Sequence, residues 1–224
     1  MDRETLDWIA SNKPEDLIIP PQISLSSEDI ELLSRYVPPK AWFLNPLTYD
    51  SIHGVRHILR VMINTLTSSS KLELSEVLLK LALTIAMIHD IRRNDDKADP
   101  EHGIRAARWF EDNNSEVTKL TGVNYSAYQI GLVAKVTSLH DLDYIEAENI
   151  SEFEMVLLDL IKTADALDRY RQPKLKWWPN NSYFKTVPSA SIKSFAYHTI
   201  VNSEQIYLDG SNSVDSVFNS LKKS

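Results

Sequence analysis

The most constraining feature of this chain is an apolar run that stops on two polar residues: LKLALTIAMI is followed at once by His89 and Asp90. Ten residues so uniformly apolar read as a buried helix. An imidazole and a carboxylate at the end of a buried helix must be paired, hydrogen-bonded or bound to metal. The rest of the chain has to bring the partners, so the fold is defined by what converges on His89 and Asp90.

The surrounding pattern predicts an all-α chain. Only 5 glycines occur in 224 residues, strand-like alternation is scarce, and helical periodicity dominates. Residues 1–48 read as an N-terminal extension: a short helix, then the proline-bounded extended connector PEDLIIPPQ, then a short helix capped by Ser26 and Asp29. VPPKAWFLNPLTYDS follows as an irregular segment packed by Trp42 and Phe43. Residues 49–172 read as the core, with five helices: IHGVRHILRVMINTL, residues 74–90, HGIRAARWFED, YSAYQIGLVAKVTSLHDLD and FEMVLLDLIKTADALDRYR. Asp99-Pro100-Glu101 predicts the third start, with Asp99 as N-cap, and Ser151 with Glu154 predicts a capping box on the fifth. Residues 173–224 read as a polar, aromatic loop or very short hairpin and two peripheral helices on the same domain.

Composition removes several classes. The net charge of −7 argues against general nucleic-acid binding. With no cysteine, disulfides, thiolate metal sites and cysteine nucleophiles are excluded. No apolar stretch reaches the ~18–20 residues of a membrane span, and MDRETLDWIASNKPEDL lacks a signal-peptide core. The expectation is a cytoplasmic protein.

Five of the 6 histidines lie between positions 53 and 140, most of them near helix ends. His57 sits in the first core helix, His89-Asp90 closes the second, His102 opens the third, His140 closes the fourth and Asp165 lies in the fifth. Helical bundles build metal sites from inward-facing histidines and carboxylates on different helices. Mixed nitrogen and oxygen donors suit a divalent transition metal (Mn, Fe, Co, Ni or Zn), with Mg also admitted. Arg92, Arg93, Lys97 and Arg105 cluster nearby in an otherwise acidic chain, and the helix start at His102 favours an anion such as phosphate.

HxxRV in a helix, HD after an apolar helix, and KTADALDR together resemble the HD-domain superfamily of metal-dependent phosphohydrolases over roughly residues 50–172. The resemblance implies a helical bundle in which His57, His89, Asp90 and Asp165 hold the metal. It further implies hydrolysis of a small phosphorylated substrate, such as a nucleotide, by metal-activated water. Arg92, Arg93, Lys97, Arg105 and His140 are then candidate substrate contacts, and His53, Glu101, His102 and Asp90 candidate catalytic groups. If His102 and His140 also ligate, two metals fit, as in the superfamily's di-iron oxygenases, whose later histidines are more evenly spaced.

A second resemblance is confined to HGxxHxxRV, HDIRRNDD and DPEHG, which are similar to the phosphodiesterase domain of SidE-type bacterial effectors. It implies a metal-free reaction with His53 as nucleophile, Glu101 as acid/base and His140 assisting. A third alternative is a catalytically silent HD-type binding or regulatory module. Several residues also have plain structural readings: capping or surface roles for His102 and His140, a structural His198, helix-surface pairs for Lys162, Asp168 and Arg169, and packing for Trp177-Trp178-Pro179.

Overall fold

The computed structural model describes residues 1–17, 23–70, 72, 74–144, 147 and 150–223. Among them there is no strand: the chain is all-α. The helices are α1 (Arg3–Ser11), α2 (Ser27–Ser34), α3 (Val55–Ser69), α4 (Glu76–Ile88), α5 (His102–Thr121), α6 (Ala127–Leu139), α7 (Glu152–Asp168), α8 (Ala190–Leu208) and α9 (Ser213–Ser220). No helix among the described residues is long and apolar enough to cross a membrane.

Short polar side chains set most of the starts. Ser26, Ser126 and Ser151 form capping boxes with Asp29, Gln129 and Glu154. Asp2, Ser75, Ser189 and Asn212 each accept from an amide of the first turn. Such caps contribute about 1 kcal/mol each. Two starts depart from this, and both lie at the site. α3 begins after Gly54, where a Cβ would run into the carbonyl oxygens of Tyr49 and Thr48, so only glycine lets the chain turn there. α5 begins at His102, not at the proline before it. Asp99 does not cap it; its carboxylate accepts from the Asn94 amide at 2.9 Å and pairs with Arg105 at 2.5 Å, tying down the preceding loop.

α3 is the central helix, buried along nearly its whole length and packed against α4, α7, α8 and α9. α5 and α6 pack on each other, and α6 closes on α4. The apolar faces meet in one core that includes Ile58, Met62, Ile85, Phe110, Val133 and Ile161, each contributing roughly 1.5–3 kcal/mol by leaving water. α4, α6 and α7 run with their C-termini toward His89, His140 and Asp168, while α3 and α5 start near the same place. One end of the bundle therefore gathers His57, His89, Asp90, His102, His140 and Asp165.

Three expectations change. The connector PEDLIIPPQ contains a 3-10 turn at Glu15–Leu17, and its residues 18–22 lie outside the described residues. The segment after residue 172 is neither hairpin nor plain loop but two 3-10 turns, Leu175–Trp177 and Asn181–Tyr183. α8 is not peripheral. It packs on α3 and α7, and its Glu204 is 2% exposed. The cause is a demand for charge: Arg56 and Arg60 on α3 are both 2% exposed. Arg56 Nε donates to Glu204 at 3.1 Å, and Arg60 donates to Glu204 at 2.7 Å and to Asp168 at 2.6 Å.

Removing one member of such a network strands the others. Glu204→Gln should cost about 3–5 kcal/mol, seen as a lower urea midpoint with unchanged slope. Burial works to raise the Glu204 carboxyl, but Arg60 and Arg56 hold it below its ordinary value of 4.5. Its contribution is therefore present above pH 4.5 and lost as pH falls below that. The wild type should lose stability in that window, and the Gln variant should lose less. Equal acid sensitivity of the two proteins would contradict the network.

Candidate metal centre

The histidines are fixed by where their Nδ1 protons go. His89 donates to the Ala86 carbonyl at 2.7 Å, His102 to the Asp99 carbonyl at 2.5 Å and His140 to the Thr137 carbonyl at 2.7 Å. His57 faces the Asp168 carboxylate at 2.7 Å. A carbonyl only accepts, so the proton sits on Nδ1 and Nε2 keeps its lone pair. Those Nε2 atoms then face each other: His57 and His89 are 3.1 Å apart, and His102 and His140 are 3.1 Å apart. Bare lone pairs at that distance repel, so each pair calls for one positive charge between its members.

Asp90 stands between the two pairs. Its Oδ2 is 3.4 Å from His57 Nε2, and its Oδ1 is 2.9 Å from His102 Nε2. Asp165 Oδ1 lies 3.3 Å from His57 Nε2. Donors bound at ~2.1 Å to one ion lie about 3.0–3.4 Å from their neighbours and up to ~4.2 Å apart across an octahedron; the distances above are close to the first range, and the 3.9 Å from Asp90 to His89 and to His140 falls between the two. The donor set therefore fits a divalent metal held by His57, His89, Asp90 and Asp165. A second fits at His102, His140 and the other oxygen of Asp90.

Charge supports the same arrangement. Burial, with the His89 and His102 rings, pushes the His140 imidazole down to about 4, and burial also pushes His89 down. Both stay neutral at neutral pH. Burial works against charging His57 and His102, yet Asp168 and Asp90 carry them upward, so these are the members that accept positive charge. Burial works to raise Asp90 as well, but His89, His102, His53 and His57 hold its carboxyl well below the carboxylate range. The C-terminal ends of α4, α6 and α7 add the negative ends of three helices.

Gly103 makes the second pair possible. A Cβ there would stand 2.9 Å from the Thr137 carbonyl and 3.1 Å from the His140 ring. Only glycine lets the start of α5 approach the end of α6 so closely. Lys162 fixes the same corner by donating to the carbonyls of His140, at 3.0 Å, and Leu142.

Above Asp90 opens a cavity of about 480 Å³, within the usual range for small-molecule sites. Its wall includes His53, Arg93, Lys97, His102, His140, Asp165, Arg169, Arg171 and Trp177. The structure thus brings His53, Arg93 and Lys97 to the cavity, together with the metal-type residues. It does not bring Arg92, Arg105 or Glu101. The Arg92 guanidinium turns away to donate to the Trp42 carbonyl. Arg105 pairs with Asp99, and the Glu101 side chain is 77% exposed beside Arg105. His140 lines the cavity and also points its Nε2 into the histidine cluster.

Sequence reasoning missed two residues. Asp168 is not a surface partner: it is fully buried and holds His57, Arg60 and Arg171. Its signal was a second carboxylate three residues after Asp165, among the buried leucines of α7. Arg171, which reaches the Ile52 carbonyl, His53 and Asp168, carried no signal of its own. In comparisons with family models, with curated proteins and with solved structures, no match was found, and the functional reading rests on this geometry.

Proposed function

We propose that this protein is an HD-type, metal-dependent phosphohydrolase that cleaves a nucleotide or another small phosphoester. One observation carries the reading: two pairs of facing imidazole nitrogens share one carboxylate, Asp90, beneath a cavity whose wall carries Arg93, Lys97, Arg169 and Arg171 alongside Asp96, Asp141 and Asp165. A divalent transition metal held there by His57, His89, Asp90 and Asp165 would lower the pKa of a coordinated water and polarise a phosphoryl oxygen.

The chain's own groups do the rest. Asp168 fixes the tautomer of His57 and strengthens it as a donor, the usual task of a carboxylate behind a metal-type histidine. His53 Nδ1 has two neighbours at 3.2 Å, the Asp90 carboxylate and the Arg171 guanidinium. With Asp90 committed to ligation, Arg171 is the remaining partner, and it only donates. The His53 proton then belongs on Nε2, as a donor to a phosphoryl or leaving-group oxygen in the cavity. Arg93 and Lys97 add positive potential where charge develops on the phosphoryl group.

The metal-free alternative has less support. Its nucleophile, His53, lines the cavity, but its acid/base, Glu101, does not. The silent-module alternative has to account for a fully assembled donor set.

Asp90→Ala should remove both bound metal, read by elemental analysis, and turnover of a phosphoester panel, the latter by ~100-fold or more. A fully active variant overturns the proposal. Dialysis against a chelator should abolish turnover, and Mn, Fe, Co, Ni, Zn or Mg should restore it. Activity that survives chelation but not His53→Ala selects the metal-free reaction instead. Gly103→Ala should lower metal content by about half, since it separates only the second histidine pair.

A further inference from the structure

Three guanidinium groups line the cavity: Arg93, Arg169 and Arg171. Two are taken up by the protein itself. Arg93 donates to the Asp95 and Lys97 carbonyls and stands 3.5 Å from Asp90. Arg171 is spent on Ile52, Asp168 and His53. Arg169 differs. Its Nε donates to the Trp177 carbonyl at 3.0 Å, and its guanidinium lies over the Tyr183 ring, 4.6 Å from the centroid. Among the described residues its two Nη groups meet no acceptor and no carboxylate. In a chain of net charge −7, a half-buried guanidinium left without an acid is an unsatisfied demand for an anion.

Its position says which anion. Arg169, the C-cap of α7, keeps helical backbone angles and follows Asp165 by four residues, so the two side chains lie on the same face. No ion pair joins them, although both line the main cavity and a neighbouring chamber of about 240 Å³ that Asp141 and Tyr183 also border. The Asp165 carboxylate serves a cation, and the Arg169 fork stands beside it for the anion of the same ligand. Trp177 and Tyr183 hold the fork before any ligand arrives, which reduces the ordering cost of binding. Arginine's planar pair of Nη donors matches two oxygens of a tetrahedral oxyanion.

The geometry points to Arg169 as the residue that grips the phosphoryl group of the substrate, through two unesterified oxygens. This rests on the phosphohydrolase reading and sharpens it. Phosphate monoesters and diesters qualify as substrates, and neutral triesters do not. It also replaces the expectation of a helix-surface pair for Arg169.

The test is calorimetric binding of inorganic phosphate to wild-type, Arg169→Gln, Arg169→Lys and Arg108→Gln proteins, with metal content measured on the same samples. Arg108 is exposed on α5 and controls for loss of one positive charge. Arg169→Gln should weaken phosphate about tenfold or more and raise KM for p-nitrophenyl phosphate by a similar factor, with metal content unchanged. Arg169→Lys should recover part of the loss, and Arg108→Gln should match wild type. Phosphate affinity of Arg169→Gln within about twofold of wild type overturns the assignment. So does a wild-type protein that binds no phosphate. If none of the proteins holds metal, the phosphohydrolase reading fails, and the phosphate affinities of the metal-free proteins decide Arg169 on their own.

Discussion

The structure depends on where four imidazole protons go. Three of the four are settled locally: His89, His102 and His140 each donate Nδ1–H to the carbonyl three residues earlier. A histidine at a helix C-cap finds that carbonyl free, and His102 shares the Asp99 carbonyl with its own backbone N–H. His57 cannot do this, because it sits inside the first turns of α3. Its Nδ1 partner has to come from another helix, and it is the Asp168 carboxylate on α7.

That one non-local bond accounts for much of the fold around it. A buried carboxylate needs a buried cation, so Arg60 pairs with Asp168. Arg60 and Arg56, one helical turn apart, need a further acid, and Glu204 brings α8 across α3. Arg171 closes the far side of Asp168 and reaches back to His53. Burying ion pairs gains little net stability, because desolvation offsets most of the attraction. What the network secures is orientation: the ring of His57 cannot rotate without breaking a chain of charges that runs through Asp168 and Arg60 to Glu204 on α8.

Legibility in the sequence followed the same division between local and non-local. The helical class and most boundaries were legible because capping residues and apolar periodicity act over a few positions, as at Ser26, Ser151 and the LKLALTIAMI run. The histidines and Asp90 stood out because polar groups at the ends of apolar helices need an explanation. The partners of the arginines were not legible. Arg92, Arg93, Arg169 and Arg171 look alike in sequence, yet one turns to the Trp42 carbonyl, two are taken up by carbonyls and carboxylates, and one is left facing the cavity. Nothing in the spacing distinguishes them, since the choice is made by groups up to 119 positions away. Glu204 was hidden for the same reason: it matters only because Arg56 and Arg60 are buried beneath it.

The central claim is that the facing Nε2 nitrogens are a metal's donors and not a proton-sharing pair of rings. X-ray absorption at the cobalt edge, on protein reconstituted with Co(II) and freed of excess ion, tests it most directly. The account predicts retained cobalt with a nitrogen and oxygen shell at ~2.0–2.2 Å and the outer-shell scattering of at least two imidazoles per ion. Cobalt that washes out, or that is held by oxygen atoms alone, would contradict it.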